Sequence, residues 1–542
     1  MLESAVNICL YLVFACLAGY FILNVLPKDR RMPLTIGSKV VLGLILATPL
    51  LLFVEVVRLS VIYASFLSIP LQESFLNTVS DSAIGLSLLL TSGITIVMLI
   101  VWTFLRDKVP MFAHILLLAG VVAMIGSVSL SSHGASVAGT QGFLANVIHL
   151  FSVSFWIGPL FLLGFFTTSI SSQRKLHQWF STLSVFAVLL LIISGFVLMG
   201  EMQPDYMNGW LLTYGQLLLI KHLLFVPLLV YGFRHFLVLS GKGRELSGNE
   251  LKRSFRSESS LAFLILAVTA FMTQHPPPHE VLRTLQVEPM NSFTTAFLSE
   301  PLLDNQLLGF SPGLISILLL VLAACALLAA LFFAWWKKET IYTTIPVAVF
   351  FISAYFGLMT GITPGEIPVN LTVHETVEEA IGVEFEESDE FELLETFDYG
   401  ESSIVAMYKV NERDLVAERL QLEEEGYRKY LDATVTIEDG FLRDNQQFME
   451  TFMYLSNDWV DEELATTYVS IGYVAEPDGV EAAEIAFSEE TYPAFVKGDF
   501  ILSVVSENVT YEEEHLFRFI DEGGNLLNEE HKRSMIHQGH AH

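Results

Sequence analysis

The chain has 542 residues, 52% of them apolar and only 16% charged, with 29 Lys/Arg against 59 Asp/Glu and a formal net charge of -30. A soluble globular chain carries about 25% charged residues, so a single soluble domain is excluded. The acidity also argues against nucleic acid and an anionic lipid surface as partners of the exposed part. The charge is unevenly placed. Residues 1–364 hold 19 Lys/Arg and 16 Asp/Glu, net +3, whereas residues 365–542 hold 10 and 43, net -33. The expected organisation is an apolar membrane body over 1–364, an acidic domain over 365–530 and a short tail over 531–542.

A hydrocarbon core about 30 Å thick needs about 20 apolar residues in a helix. Ten stretches qualify: 4–26, 36–62, 83–105, 111–131, 142–166, 180–200, 211–238, 258–274, 313–335 and 342–360. The first is long, has no basic start and no small-residue cleavage site, so it reads as a permanent span and not a signal peptide. Pro49 and Pro227 fall inside the second and seventh spans, where membrane helices tolerate them as kinks. Basic residues follow alternate spans: Lys28, Arg30 and Arg31; Arg106 and Lys108; Arg174 and Lys175; Lys242 to Arg256; Lys337 and Lys338. With Lys39 and Arg234 at span ends, 16 of the 19 basic residues of the body lie on the odd-numbered connections. The positive-inside rule then places both termini outside the cytoplasm of a multi-pass cell-membrane protein.

The acidic domain has no cysteine, so no disulfide framework supports it. Strand-like runs at Gly382–Phe385, Phe391–Phe397, Ile404–Val410, Thr467–Val474, Ala483–Phe487, Phe500–Val505 and Leu516–Ile520 alternate with turns. Residues 411–430, rich in Glu and Arg, read as a helix. The expected fold is therefore an all-α polytopic membrane domain followed by a small α+β extracytoplasmic domain. No nucleophile elbow, P-loop or paired zinc motif occurs, which points away from an enzyme. The acidity suits solubility in a salty or alkaline exterior, or weak collection of cations at the membrane.

Ionisable groups within spans are costly and mark function by default. His114, His177 and His235 fall on the cytoplasmic side, where interfacial or loop roles suffice. Other histidines gather towards the outer side. His133 follows the fourth span, and His149 lies about 10 Å below the outer end of the fifth. His222 lies near the middle of the seventh span beside Lys221, and His275 and His279 bracket three prolines after the eighth. Proline stiffens that last segment into an extended form. Met199 and Met202 lie at the same level, with Met207 and Met272 nearby. His537, His540 and His542 close the chain as a metal-capturing tail. Imidazole suits copper, zinc, iron and nickel, while thioether selects Cu(I). Each histidine also has an ordinary reading, as a packed or helix-capping residue. Glu55 and Arg58, three apart in the second span, are expected to pair as a structural ion pair.

Four segments resemble the copper resistance protein D (CopD) family, which includes YcnJ-type copper import membrane proteins. They are Ser132-His133-Gly134-Ala135, His149 to Gly158 with Trp156, Tyr214 to Lys221, and Thr273-Gln274-His275-Pro276-Pro277, together a core over about 130–280. The resemblance implies a polytopic protein that moves copper across the bacterial cytoplasmic membrane. It implies His133 and His149 as copper residues, with Trp156 and Lys221 as signature positions. It also implies an extracytoplasmic copper-binding protein and a cytoplasmic copper acceptor as partners, besides copper and the lipid bilayer. Two departures stand out: Pro159 follows Gly158 where the family continues with glycine, and no copper-binding β-sandwich precedes the body.

Copper import is the leading expectation, with His and Met capturing the ion and His133 and His149 passing it inward. Two alternatives remain. One is a b-type haem protein ligated by His149 and His222, which the expected depths separate by about 6 Å. The other is a membrane-anchored copper sensor or assembly factor.

Overall fold

A computed structural model describes residues 2–27, 31–67, 69–167, 174–239, 248–303, 305–336, 339–383, 385, 389–399, 402–437, 448–460, 463–473, 482–487, 490–497, 500–505, 514–520 and 526–533. The chain divides into two units, residues 1–301 with 308–364, and residues 302–307 with 365–542.

The first unit contains α1 (Leu2–Val25), α2 (Ser38–Phe66), α3 (Leu71–Asp81), α4 (Ala83–Phe104), α5 (Pro110–Ser129), α6 (His133–Phe165) and α7 (Arg174–Met202). It continues with α8 (Thr213–Leu239), α9 (Gly248–Met272), α10 (Val281–Val287), α11 (Ser292–Thr295), α12 (Leu314–Trp336) and α13 (Ile341–Met359). Strands β1 (Leu308–Phe310) and β2 (Ile362–Pro364) pair antiparallel. Ten of these helices are long and apolar enough to cross a membrane, and they coincide with the ten expected spans. α3, α10 and α11 lie within two of the expected outer connections.

α1 and α6 form the centre of this unit. α6 packs against α1, α5, α7 and α9, and the α12–α13 hairpin packs on α8. At the crossing of α1 and α6 the two backbones touch. A Cβ added at Gly158 would lie 2.1 Å from the Ala15 carbonyl oxygen, and one at Gly19 would lie 2.4 Å from the Gly158 carbonyl carbon. Helices in lipid gain most from close van der Waals packing, which small residues four apart, such as Ala15 and Gly19, permit.

Hydrogen bonds tie the odd-numbered connections together at one end. Thr35 of the α1–α2 connection donates to the Phe166 carbonyl, and Arg106 reaches Ser38. Lys252 and Arg256 of α9 donate to the Thr167 and Gly164 carbonyls. The other end holds Arg58, paired with Glu55 as expected and also with Glu3. The basic connections thus share one end of the bundle.

α6 departs from the expected span. It begins at His133, capped by Ser132, whose hydroxyl accepts from the Ala135 amide. It breaks at Ala138 and Gly139, the latter at φ +50°. The chain folds back tightly there, since a Cβ on Gly142 would lie 1.8 Å from the Gly134 carbonyl oxygen. The expected outer loop over 132–141 is therefore a helical lead-in followed by a glycine-dependent bend.

The second unit contains α14 (Val377–Gly382), β3 (Phe391–Tyr399), β4 (Ser403–Val410), β5 (Asp414–Glu423), β6 (Gly426–Ile437), β7 (Phe448–Val460), β8 (Glu463–Tyr473), β9 (Ala482–Phe487), β10 (Glu490–Lys497), β11 (Phe500–Val505), β12 (Glu514–Ile520) and β13 (Leu526–Arg533). Its antiparallel sheets run β3-β4-β5-β6 and β13-β12-β9-β10-β11-β8-β7. Phe397, Met407, Leu415 and Ala417 of the first share a core with Ile471 and Leu502 of the second. Val377, Ala380 and Ile381 of α14 cover the opposite face of the first sheet.

Two expectations fail here. Residues 411–430 form most of a hairpin and not a helix, and Gly382 ends a helix where a strand was expected. The hairpin is buried on both faces, so Leu415, Val416, Ala417 and Leu420 are all apolar and strand alternation is lost. Within it Glu418 is buried and paired with Lys429 at 3.1 Å. Of the turns between the strand-like runs, Glu476-Pro477-Asp478-Gly479 and Asp521-Glu522-Gly523-Gly524-Asn525 lie outside the described residues.

Gly158→Ala should destabilise the body by about 1–3 kcal/mol, the usual cost of overpacking. Gly200→Ala, where a Cβ meets nothing within 4 Å, is the control. Unfolding in detergent measures both, and equal stabilities would mean that the crossing is not tight.

Candidate metal-handling site

α6, α7 and α8 bring His149, Ser194, Lys221 and His222 into one neighbourhood. His149 follows the bend at Gly139 and is half-buried. Its Nδ1 lies 3.1 Å from the Ser194 hydroxyl on α7. That hydroxyl has one hydrogen, which it donates to the Leu190 carbonyl at 2.8 Å, with Leu191 at 3.2 Å. With that hydrogen on the helix carbonyl, the Ser194 oxygen is the acceptor towards His149. The proton of the neutral imidazole is then on Nδ1, and Nε2 presents a lone pair. This is how a metal-ligating histidine is held: one nitrogen is tied so that the other is oriented and free.

Lys221 and His222 on α8 lie within electrostatic range of His149. His222 Nδ1 meets the Tyr206 hydroxyl at 2.8 Å, and the two rings stack with centroids 5.5 Å apart. The Tyr206 hydroxyl can donate or accept, so the His222 tautomer is not fixed as that of His149 is. Tyr206 comes from the connection between α7 and α8. Asp205 holds the turn by accepting from Asn208 Nδ2 at 2.6 Å and from the Asn208 backbone N–H at 3.3 Å, and Gln203 donates to the Tyr206 carbonyl. Burial pushes the Tyr206 hydroxyl's pKa well above its ordinary value, so it stays protonated.

Met202 and Tyr206 pack with Met272, Tyr214 and Leu218. Met202 and Met272 thus share a cluster with the tyrosine that touches His222. Met199 lies on α7, one turn before Gln203, whose amide donates to its carbonyl.

The remaining candidates lie near the same end of the body but do not converge. His133 is exposed at the start of α6, and its Nε2 donates to the Thr273 carbonyl at 3.4 Å. His279 donates from Nδ1 to the Glu201 carbonyl at 2.8 Å. His275 faces the Glu288 carboxylate at 3.7 Å. The proline segment sends its two imidazoles to different partners. His537, His540 and His542 lie outside the described residues. Among the described residues no three His, Cys, Asp or Glu side chains gather into a group able to hold a metal.

Sequence reasoning missed Ser194, Tyr206 and the placement of His235. A serine in an apolar span and a tyrosine in a polar loop carry no distinguishing signal alone. His235, assigned an interfacial role, is buried at the other end of α8 in contact with Glu258. A glutamate inside a nominal span was the available clue.

The imidazole of His149 should exist as a single tautomer in the wild-type chain and as a mixture in Ser194→Ala. Nitrogen chemical shifts of labelled histidine report this. A mixed population in both would remove the proposed orientation of Nε2.

Comparison with known proteins follows the same helices. Residues 174–272, which span α7, α8 and α9, match the family described as Copper resistance protein D, CopD. The chain is also similar to the copper transport protein CutJ of Bacillus subtilis (strain 168), at 29% identity over 153 residues. That similarity covers 26% of this chain and 26% of the relative, so the chain matches about a quarter of the relative's length. No solved structure matches. The matched family segment contains Ser194, Tyr206, Lys221 and His222, while His133 and His149 precede it. The chain is a multi-pass membrane protein, and the resemblance to the CopD family read from its sequence is borne out over α7 to α9.

Proposed function

We propose that the protein carries copper across the bacterial cell membrane, inward, through a site built on His149. The observation that carries this reading is the His149–Ser194 hydrogen bond, which leaves an imidazole lone pair inside the membrane body. Among the described residues no hydrogen bond to His149 Nε2 accompanies it. The cargo is then a soft cation, offered His149 first and His222 when the Tyr206 hydroxyl turns its hydrogen away. Met202 and Met272 supply thioethers beside that tyrosine, which favours Cu(I). Lys221 opposes cation charge at the same level, so it limits how long the ion resides there. His133, His275 and His279 serve capture at the outer face. An extracytoplasmic donor and a cytoplasmic acceptor complete the path, with copper as cargo and no catalytic step.

A second reading is b-type haem ligation by His149 and His222. It needs two imidazoles on different helices of the body, and α6 and α8 carry them. Metal content and the visible spectrum of the purified protein decide between the two. A Soret band with stoichiometric iron would replace the copper reading.

His149→Ala should lower cell-associated copper at every external concentration, because raising the supply does not restore a missing ligand within the route. Uptake that recovers to the wild-type level at high copper would make His149 a packing residue.

The orientation is testable separately. The basic connections share one end, which the positive-inside rule assigns to the cytoplasm. A cysteine introduced at position 450 should react with a membrane-impermeant maleimide in intact cells. Labelling only after lysis would invert the topology and with it the direction of transport.

A further inference from the structure

α8 carries a second polar group at its other end. His235 lies thirteen residues beyond His222, about 20 Å along the helix axis. Its imidazole contacts the Glu258 carboxylate of α9, and the two residues are only 4% and 1% exposed. The fully buried Phe255 ring lies 4.6 Å from the imidazole. The His235–Glu258 pair is a close contact of opposite groups without hydrogen-bond geometry: both ring nitrogens of His235, Glu258 Oε2 and the hydroxyls of Ser254 and Ser259 have no hydrogen-bond partner among the described residues. Between the two ends of α8 stands Trp156, also buried, whose Cζ2 is 4.0 Å from a Cβ added at Gly232.

The surrounding charges are engaged with one another. On α8, Tyr231 interacts electrostatically with Glu258 and hydrogen-bonds Thr344 at 2.6 Å. Arg234 is fully buried, donates to Thr343 and interacts with Tyr231, with Glu250 of α9 and with Glu339. α6 offers the Gly164 carbonyl, taken by Arg256, and α7 offers the Phe180 ring against Phe255. The His235–Glu258 pair must therefore balance its own charge.

We infer that His235 and Glu258 form a proton-binding site inside the membrane body, and that cation passage along α8 is linked to the proton held there. With one proton shared, the pair is an imidazolium against a carboxylate, neutral overall, and it clamps α8 to α9. Removing the proton leaves a buried carboxylate without a counter-charge, and adding a second leaves an imidazolium without one. Either state is costly away from water, so the interface closes only around the singly protonated pair. When it opens, the proton passes to water, and no electrons move. α8 runs from Thr213 to Leu239 with Pro227 between His222 and His235, so opening at His235 pivots the helix at that proline and shifts the half that bears Lys221 and His222. Ionisable residues in spans commonly serve such relays. The linkage rests on the copper-transport reading, whereas the proton site itself does not.

The test uses the full chain, in detergent and in proteoliposomes. Infrared difference spectra across a pH series should show a buried-carboxyl band that changes with pH and is lost in Glu258→Gln. In His235→Gln the band should remain but titrate over a different pH range, which keeps the test open if the first variant does not fold. In vesicles, copper entry should move protons in the wild type, and Glu258→Gln should lose that proton movement. A band that survives in Glu258→Gln, or titrates unchanged in His235→Gln, overturns the proton site. Equal proton movement in wild type and Glu258→Gln overturns the linkage. Vesicles that take up no copper while the band behaves as expected sink the transport reading and leave the proton site standing.

Discussion

The membrane body depends on one contact, the backbone-to-backbone crossing of α1 and α6 at Gly19 and Gly158. In lipid there is no solvent to drive apolar faces together, so helices stay where their surfaces fit closely. This crossing fixes α6 in rotation as well as position. Trp156, two residues before Gly158, is buried as a result, and His149, two turns earlier, is aimed at α7. The chemistry of His149 is thus set by a contact that has no polar atom of a side chain in it.

α8 takes what α6 offers. It carries Tyr214, Leu217, Leu218, Lys221 and His222 in the spacing of a single helical stripe. Tyr206 arrives from a connection that is itself braced by Asp205, Asn208 and Gln203. At the far end His235 meets Glu258. One helix, with Pro227 between its halves, therefore links the ligand-bearing and proton-bearing ends of the body, while the α12–α13 hairpin supports its back through Tyr231 and Arg234.

The spans were legible because twenty consecutive apolar residues admit few other readings, and all ten recur as long helices. The basic residues likewise declared which connections share an end. The candidate site was legible only as letters: His149 and His222 could be named, but not the partners that orient them. A serine hydroxyl is satisfied by its own helix in most membrane spans, and nothing in the sequence says that Ser194 also accepts from a neighbour. The acidic domain misled where two-sided burial removed strand alternation. There Glu418 and Lys429, residues that ordinarily face water, are interior and form an ion pair, so a charge-rich stretch imitated a surface helix.

The interval between His149 and Gly158 behaves as a measured length. Both ends are anchored, one by the Ser194 hydroxyl and the other by the α1 backbone. Inserting or deleting a single residue within it would turn His149 by about 100° around the helix axis, away from α7. No side-chain adjustment recovers that. On the other side of His149 the chain bends at Gly139, where the backbone has already left helical geometry. Changes in length can be absorbed there without rotating the imidazole. Homologous chains that keep this site should therefore vary in length before His149 and hold the nine-residue step after it constant.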